Sequence, residues 1–95
     1  MANYVVIWKY TDDKSVIGEA RQAHLDYLQD LVARGTVLVA GGWPDASGGL
    51  VVFDVVDRDE LQPLLDNDPF TTSGVIVDTD IQEWKVALGA VGAQK

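Results

Sequence analysis

The chain has one histidine, His24, set in the stretch Arg21-Gln22-Ala23-His24-Leu25-Asp26-Tyr27-Leu28. Imidazole is the side chain best suited to accept and return protons near neutrality. At about 100° per residue of helix, Ile17 and Leu31 fall within ~20° of His24, and Leu28 within ~40°. The ring therefore sits on an apolar stripe that should face inward. Two readings follow. The histidine is a core residue with both nitrogens satisfied, or it lines a pocket as a proton acceptor.

Asp68 is the second residue of chemical interest. It precedes Pro69, which biases it away from helix toward an extended or capping conformation. As an N-cap before a proline at the first helical position, it would be a common helix start. As a partner for imidazole, its carboxylate would fix the tautomer and raise the basicity. The third feature is Gly41-Gly42-Trp43-Pro44. Glycines allow close approach of a ligand to the backbone, and free amides there could hold an oxyanion. The plainer alternative is a β-connection with Trp43 as a lid on the core.

Other chemistry finds little support. The chain has no cysteine, so it has no disulfide and no thiolate nucleophile. With one histidine and no cysteine, a structural zinc site within one chain is excluded. Asp12-Asp13 and Asp78-Thr79-Asp80 lack the ligand count and spacing of a calcium loop. There is no GxGxxG and no phosphate loop. No metal and no cofactor are expected.

The 95 residues form one expected domain, with a core over about 4–86. A net charge of −8 disfavours nucleic acid and anionic membrane surfaces as partners. Met1-Ala2-Asn3-Tyr4 has neither the basic region nor the apolar run of a signal peptide. No apolar stretch approaches the ~20 residues of a membrane span. A soluble, cytoplasmic protein is expected.

These residues need elements to position them. Residues 4–10 are rich in β-branched and aromatic side chains and form a strand. Thr11-Asp12-Asp13-Lys14-Ser15 is a polar loop, with Ser15 the expected cap of a helix over about 16–34, stopped by Gly35. A second strand is expected over 36–41, turn chemistry over 42–49, and a third strand over 50–56, antiparallel to the second. Asp57-Arg58-Asp59-Glu60 opens a short helix, its acids placed where the dipole favours them. Asn67-Asp68-Pro69-Phe70 breaks that helix, and residues 75–84 are the fourth strand. The tail over 89–95 should be loosely ordered.

The order strand, helix, strand, strand, helix, strand is the ferredoxin-like βαββαβ pattern, an α+β fold with an antiparallel four-stranded sheet. Strand one is apolar on both faces, with Val5 and Ile7 opposite Tyr4, Val6, Trp8 and Tyr10. Strand two is similar, with Val37 and Val39 opposite Leu38 and Ala40. Two helices cover one face only, and the 47% apolar content is generous for so small a body. The simplest cover for the second face is another copy of the sheet, which predicts a homodimer.

Arg21-x-x-His24-x-x-Tyr27-Leu28, then Gly41-Gly42, then Asp68-Pro69-Phe70, together resemble the YciI-like (YCII-related) family. Its members are small proteins of the dimeric α/β-barrel class, and the resemblance spans roughly residues 4–84. It implies that His24 and Asp68 form a His–Asp pair in a cleft between sheet and helices. Arg21, Gly41, Gly42, Trp43 and Phe70 are the expected ligand-binding residues. Some members act on chlorinated hydroxyquinone-type intermediates with loss of HCl. Fold relatives include muconolactone isomerases and cofactor-free monooxygenases. The family often carries Gly-Pro after strand two, whereas this chain has Gly41-Gly42-Trp43-Pro44 and a short loop to strand three.

The expected function is proton transfer by His24 without metal or redox cofactor, of lyase or isomerase type, on a small cyclic or aromatic-derived molecule. Asp68 would steady the imidazolium, and the Gly41–Gly42 amides would receive developing negative charge. One alternative is a non-catalytic small-ligand-binding or accessory protein with the same pocket. A second is a cofactor-free monooxygenase, suggested by the fold and by Trp8, Trp43 and Trp84.

Overall fold

A computed structural model describes residues 2–89. The elements are β1 (Ala2–Tyr10), α1 (Lys14–Ala33), β2 (Val37–Gly42), β3 (Gly48–Val55), α2 (Arg58–Asp66), α3 (Pro69–Thr72) and β4 (Ile76–Trp84). The expected tail lies, beyond Gly89, outside the described residues. The strands form one antiparallel sheet in the order β2-β3-β1-β4. This is the βαββαβ arrangement, with α3 added as a short helix between α2 and β4.

Strand alternation sorts the side chains. Tyr4, Val6 and Trp8 of β1 pack with Val51, Phe53 and Val55 of β3, against Leu28 and Leu31 of α1 and Leu61 and Leu65 of α2. Both helices therefore cover the same face. Val5 and Ile7 alternate to the other face, where they pair with Val52 and Leu50. Strand two departs from simple alternation. A register shift between Val37 and Val39 puts Val37 opposite Phe53 and Val39 opposite Val52. Val37 is buried under the helices and Val39 is exposed on the open face, so the two valines do not share a face as their spacing implied.

The stripe on α1 is as the periodicity required, with Ile17, Ala20, His24, Leu28 and Leu31 buried. Its start differs. Asp13, not Ser15, is the N-cap; its carboxylate accepts the Ser15 and Val16 amides and the Ser15 hydroxyl. An ionised cap accepts more donors than a hydroxyl and favours the positive end of the helix. The helix ends in a Schellman motif. Gly35, at φ 80°, donates to Val32 O, and Thr36 donates to Leu31 O.

The β2–β3 turn is tighter than expected, because Gly42 belongs to β2 and Gly48 to β3. Trp43 N donates to Gly48 O and Ala46 N to Trp43 O, while Asp45 accepts from the Ser47 amide and hydroxyl. Two glycines make the close packing here feasible. A Cβ on Gly48 would lie 2.1 Å from Trp8 O, and one on Gly49 would lie 2.6 Å from Gly41 O. Among the described residues, no helix is long and apolar enough to cross a membrane.

Candidate active site

The second site element is built by α3. Asp68 adopts extended backbone angles and caps α3, with Pro69 in its first turn. Its Oδ1 accepts the Phe70 amide at 2.9 Å. The same Oδ1 lies 2.6 Å from His24 Nδ1. The capping role and the imidazole-partner role are therefore both met, by one oxygen. Asp68 is 1% exposed and His24 5% exposed.

The pair is closed in by rings. His24 stacks on Phe70 with centroids 3.7 Å apart and planes 4° apart. Trp8 meets the imidazole edge-on at 5.9 Å, and Tyr10 meets Phe70 edge-on at 5.2 Å. A carboxylate facing Nδ1 favours the tautomer in which Nδ1 carries the proton and Nε2 carries the lone pair. Nε2 has no protein hydrogen-bond partner among the described residues, yet it is not among the occluded polar atoms. It is left to the cleft that His24 lines. Asp68 Oδ2 is the opposite case, fully occluded and without a hydrogen-bond partner.

The cleft has a volume of about 590 Å³ and runs between α1 and the β2–β3 end of the sheet. Arg21, Gly41, Gly42, Trp43 and Phe70 all line it, as does His24, with Asp68 buried behind the imidazole. The glycines act differently from expectation. They are strand residues, paired opposite Leu50 and Gly49. Because Trp43 N bonds to Gly48 O, antiparallel alternation turns the Gly41 amide toward Leu50 and the Gly42 amide off the free edge of β2. The Gly41 amide is thus spent on the ladder and does not serve as an oxyanion donor. Trp8 and Trp43 line the cleft but Trp84 does not, so the tryptophans do not converge on one site.

Further residues line the cleft, among them Tyr10 and Trp8, the latter named from sequence only for the oxygenase alternative. Their signal was present, since both share the even-numbered face of β1 with Tyr4 and Val6, the face that meets the His24 stripe. Burial, reinforced by the negative charge of Asp68, pushes the Tyr10 hydroxyl above its ordinary pKa, against a smaller opposing pull from Arg21. Tyr27 is raised for the first two reasons too, and its hydroxyl donates to Leu64 O at 2.8 Å.

A family model for the YCII-related domain matches residues 2–85. The chain belongs to the YCII-related family. No curated protein matches this YCII-related chain in sequence. Among solved structures, it is similar to 5-chloro-2-hydroxyhydroquinone dehydrochlorinase (TftG) from Burkholderia phenoliruptrix, determined in complex with 2,5-dihydroxybenzoquinone. The TM-score is 0.78 at 25% identity, over 90% of this chain and 95% of that one. A protein from Agrobacterium tumefaciens shares the fold, with a TM-score of 0.50 at 9% identity over 92% of this chain and 94% of that one. The α+β fold of this YCII-related domain is thus the one expected from its strand order.

Proposed function

We propose that this chain is a small enzyme that transfers protons with His24 on a small cyclic or aromatic-derived metabolite, in a lyase reaction of the dehydrochlorinase type. One observation carries the reading. The imidazole is held at Nδ1 by a buried carboxylate and left open at Nε2, inside an aromatic-walled cleft. That is the arrangement a general base requires. The likeness to TftG supports the substrate class.

The chemistry needs no external oxidant, because loss of HCl from a chlorinated hydroxyquinol leaves a hydroxyquinone. The ring first reaches its keto tautomer, with chlorine on a tetrahedral carbon. Nε2 then takes the proton of a hydroxyl conjugated with that carbon. The O–H pair becomes a C=O bond, the intervening C=C pair shifts by one bond, and the C–Cl pair leaves as chloride. The proton rests on Nε2 until water removes it. Asp68 opposes the positive charge that forms on the ring, and Phe70 keeps the ring from turning away.

The partner we propose is a second copy of the chain. Val5 and Ile7 of β1, Leu50 of β3 and Val39 of β2 share the sheet face that no helix covers. Ile7 and Val39 are 36% and 44% exposed, an apolar patch of the kind that oligomers bury.

The deciding experiment is chloride release from chlorinated hydroxyquinols, comparing wild type with His24→Gln. Turnover by wild type and a loss of roughly 10²–10⁴-fold in the variant are expected. Equal turnover by the two would remove His24 from the base role. Binding of the ring without any turnover by wild type would leave a ligand-binding protein instead.

A further inference from the structure

We propose that the cleft selects a planar anionic ring, with Arg21 meeting its negative oxygen and the Tyr10 hydroxyl serving as the second donor. This rests on reading the cleft as the substrate site. It adds the charge state of the ligand and two residues that read it.

Arg21 is the first support. It stands one helical turn before His24 on α1, so both side chains address one face of that helix. It is the one residue lining the cleft with a fixed charge, and no carboxylate lines the cleft. The chain holds 15 acidic and seven basic residues, so a free guanidinium is conspicuous. Arg34 does pair with Asp30 at 3.1 Å, but Arg21 has no ion pair among the described residues. An arginine without a partner, beside an apolar cleft, offers its planar donors to a bound oxyanion.

Tyr10 is the second. Its hydroxyl occupies the space above Gly49, where a Cβ would come within 2.9 Å of it. The absence of a side chain at Gly49 is what admits the phenol there. The hydroxyl has no protein hydrogen-bond partner among the described residues, and Tyr10 lines the cleft. Its raised pKa keeps it a donor through neutral and mildly alkaline solution. It takes the part that the Gly41 amide, committed to the ladder, does not.

The aromatic walls supply the rest of the recognition. Trp43, which is exposed, offers a ring surface to a flat ligand, while the buried Trp8 and Phe70 form the apolar floor beside His24. With a net charge of −8, the chain as a whole repels anions, so any preference for an anion must arise locally.

The test is isothermal titration calorimetry with two rings of like shape. One is 2,5-dihydroxybenzoquinone, an acidic ring ionised at neutral pH. The other is its neutral dimethyl ether, 2,5-dimethoxybenzoquinone. Wild type should bind the hydroxyquinone at least about tenfold tighter than the ether. Arg21→Gln should weaken the hydroxyquinone roughly 10- to 100-fold and the ether less than about threefold. Tyr10→Phe should weaken the hydroxyquinone roughly 3- to 10-fold. Circular dichroism checks that each variant folds. Equal binding of both rings by wild type, binding of neither, or an undiminished preference in Arg21→Gln overturns the inference. The preference should survive in His24→Gln. A preference in a wild type that never turns over removes the base reading and keeps this one; turnover without a preference does the reverse.

Discussion

The imidazole of His24 lies flat on the ring of Phe70, 3.7 Å between centroids. Phe70 is also the residue whose amide Asp68 caps at 2.9 Å. One short helix, Pro69–Thr72, therefore fixes the histidine twice, by a charge at Nδ1 and by a surface against the ring. The geometry leaves Nε2 as the nitrogen that faces a ligand.

Substitution at Asp68 separates capping from charge. Asparagine retains a cap and an acceptor for Nδ1 but cannot oppose an imidazolium. Asp68→Asn should change stability by less than about 1 kcal/mol while lowering turnover roughly 10²-fold or more. Asp68→Ala removes the cap and leaves a buried imidazole without its partner, a loss of about 2–4 kcal/mol. Urea denaturation beside steady-state kinetics measures both. Equal turnover in wild type and Asp68→Asn would show that the carboxylate is only a cap.

Phe70→Leu tests the stacking surface with the cap left in place, since the capped group is a backbone amide. Loss of ring packing should cost about 1–2 kcal/mol. Turnover should fall by more than stability alone explains, because the imidazole gains freedom to tilt. A variant with wild-type kinetics at full occupancy of the folded state would assign Phe70 to packing only.

Gly48→Ala should be among the most damaging single-methyl changes in the chain. The added Cβ would sit 2.1 Å from Trp8 O and 3.0 Å from the Trp43 indole. Backbone cannot yield as a flexible side chain would, so a cost of about 3 kcal/mol is expected. Gly18→Ala is the control, since nothing lies within 4 Å of its Cβ position. If both variants melt alike, the β1–β3 approach is looser than described.

Stability should decline at alkaline pH through Tyr10 and Tyr27. Both hydroxyls have folded-state pKa values above the ordinary 10.0, chiefly from burial and then from the Asp68 charge. The folded chain therefore holds these protons more tightly than the unfolded one. Their contribution is fully present below pH 10.0 and is lost as pH rises through the folded pKa values. Tyr10→Phe should flatten the alkaline limb of a melting-temperature profile. Asp13 and Asp45 act at the other end. The Ser15 and Ser47 hydroxyls, with nearby amides, hold these carboxyls below 3.8, so their contribution is present above that pH and lost as pH falls through the lowered values.

Ile7→Asp should shift the assembly toward monomer, because it places a charge in the centre of the open sheet face. Size exclusion with light scattering reports this directly. A wild type that is monomeric at micromolar concentration would rule out the sheet-to-sheet dimer.

Much of this fold was legible in the residues. The stripe Ile17, His24, Leu28, Leu31 is a matter of helical period, and it held because propensity and burial agree along α1. Asp68-Pro69 signalled a helix start by local chemistry alone. The register shift in β2 was not legible, because Val37 and Val39 are two apart in a plain apolar run. Only the pairing with β3 sends them to opposite faces. Gly48 and Gly49 read as turn residues for the same reason. Their glycine character answers contacts with Trp8, Gly41 and Tyr10, which are distant in sequence.

Which groups exist to do chemistry, and which elements carry them, follows from the order of the residues. A single imidazole on an inward stripe, a capping carboxylate and a βαββαβ order are all set by local spacing. The tertiary structure alone decided that one carboxylate oxygen serves both the cap and the imidazole, across 44 residues of chain. It also decided that, of the two glycine amides expected to hold charge, that of Gly41 is spent in the ladder and that of Gly42 points off the sheet edge, while Tyr10 lines the cleft. The physical reason is that hydrogen bonds are satisfied globally. Which donors remain for a ligand is known only after the fold has claimed the others.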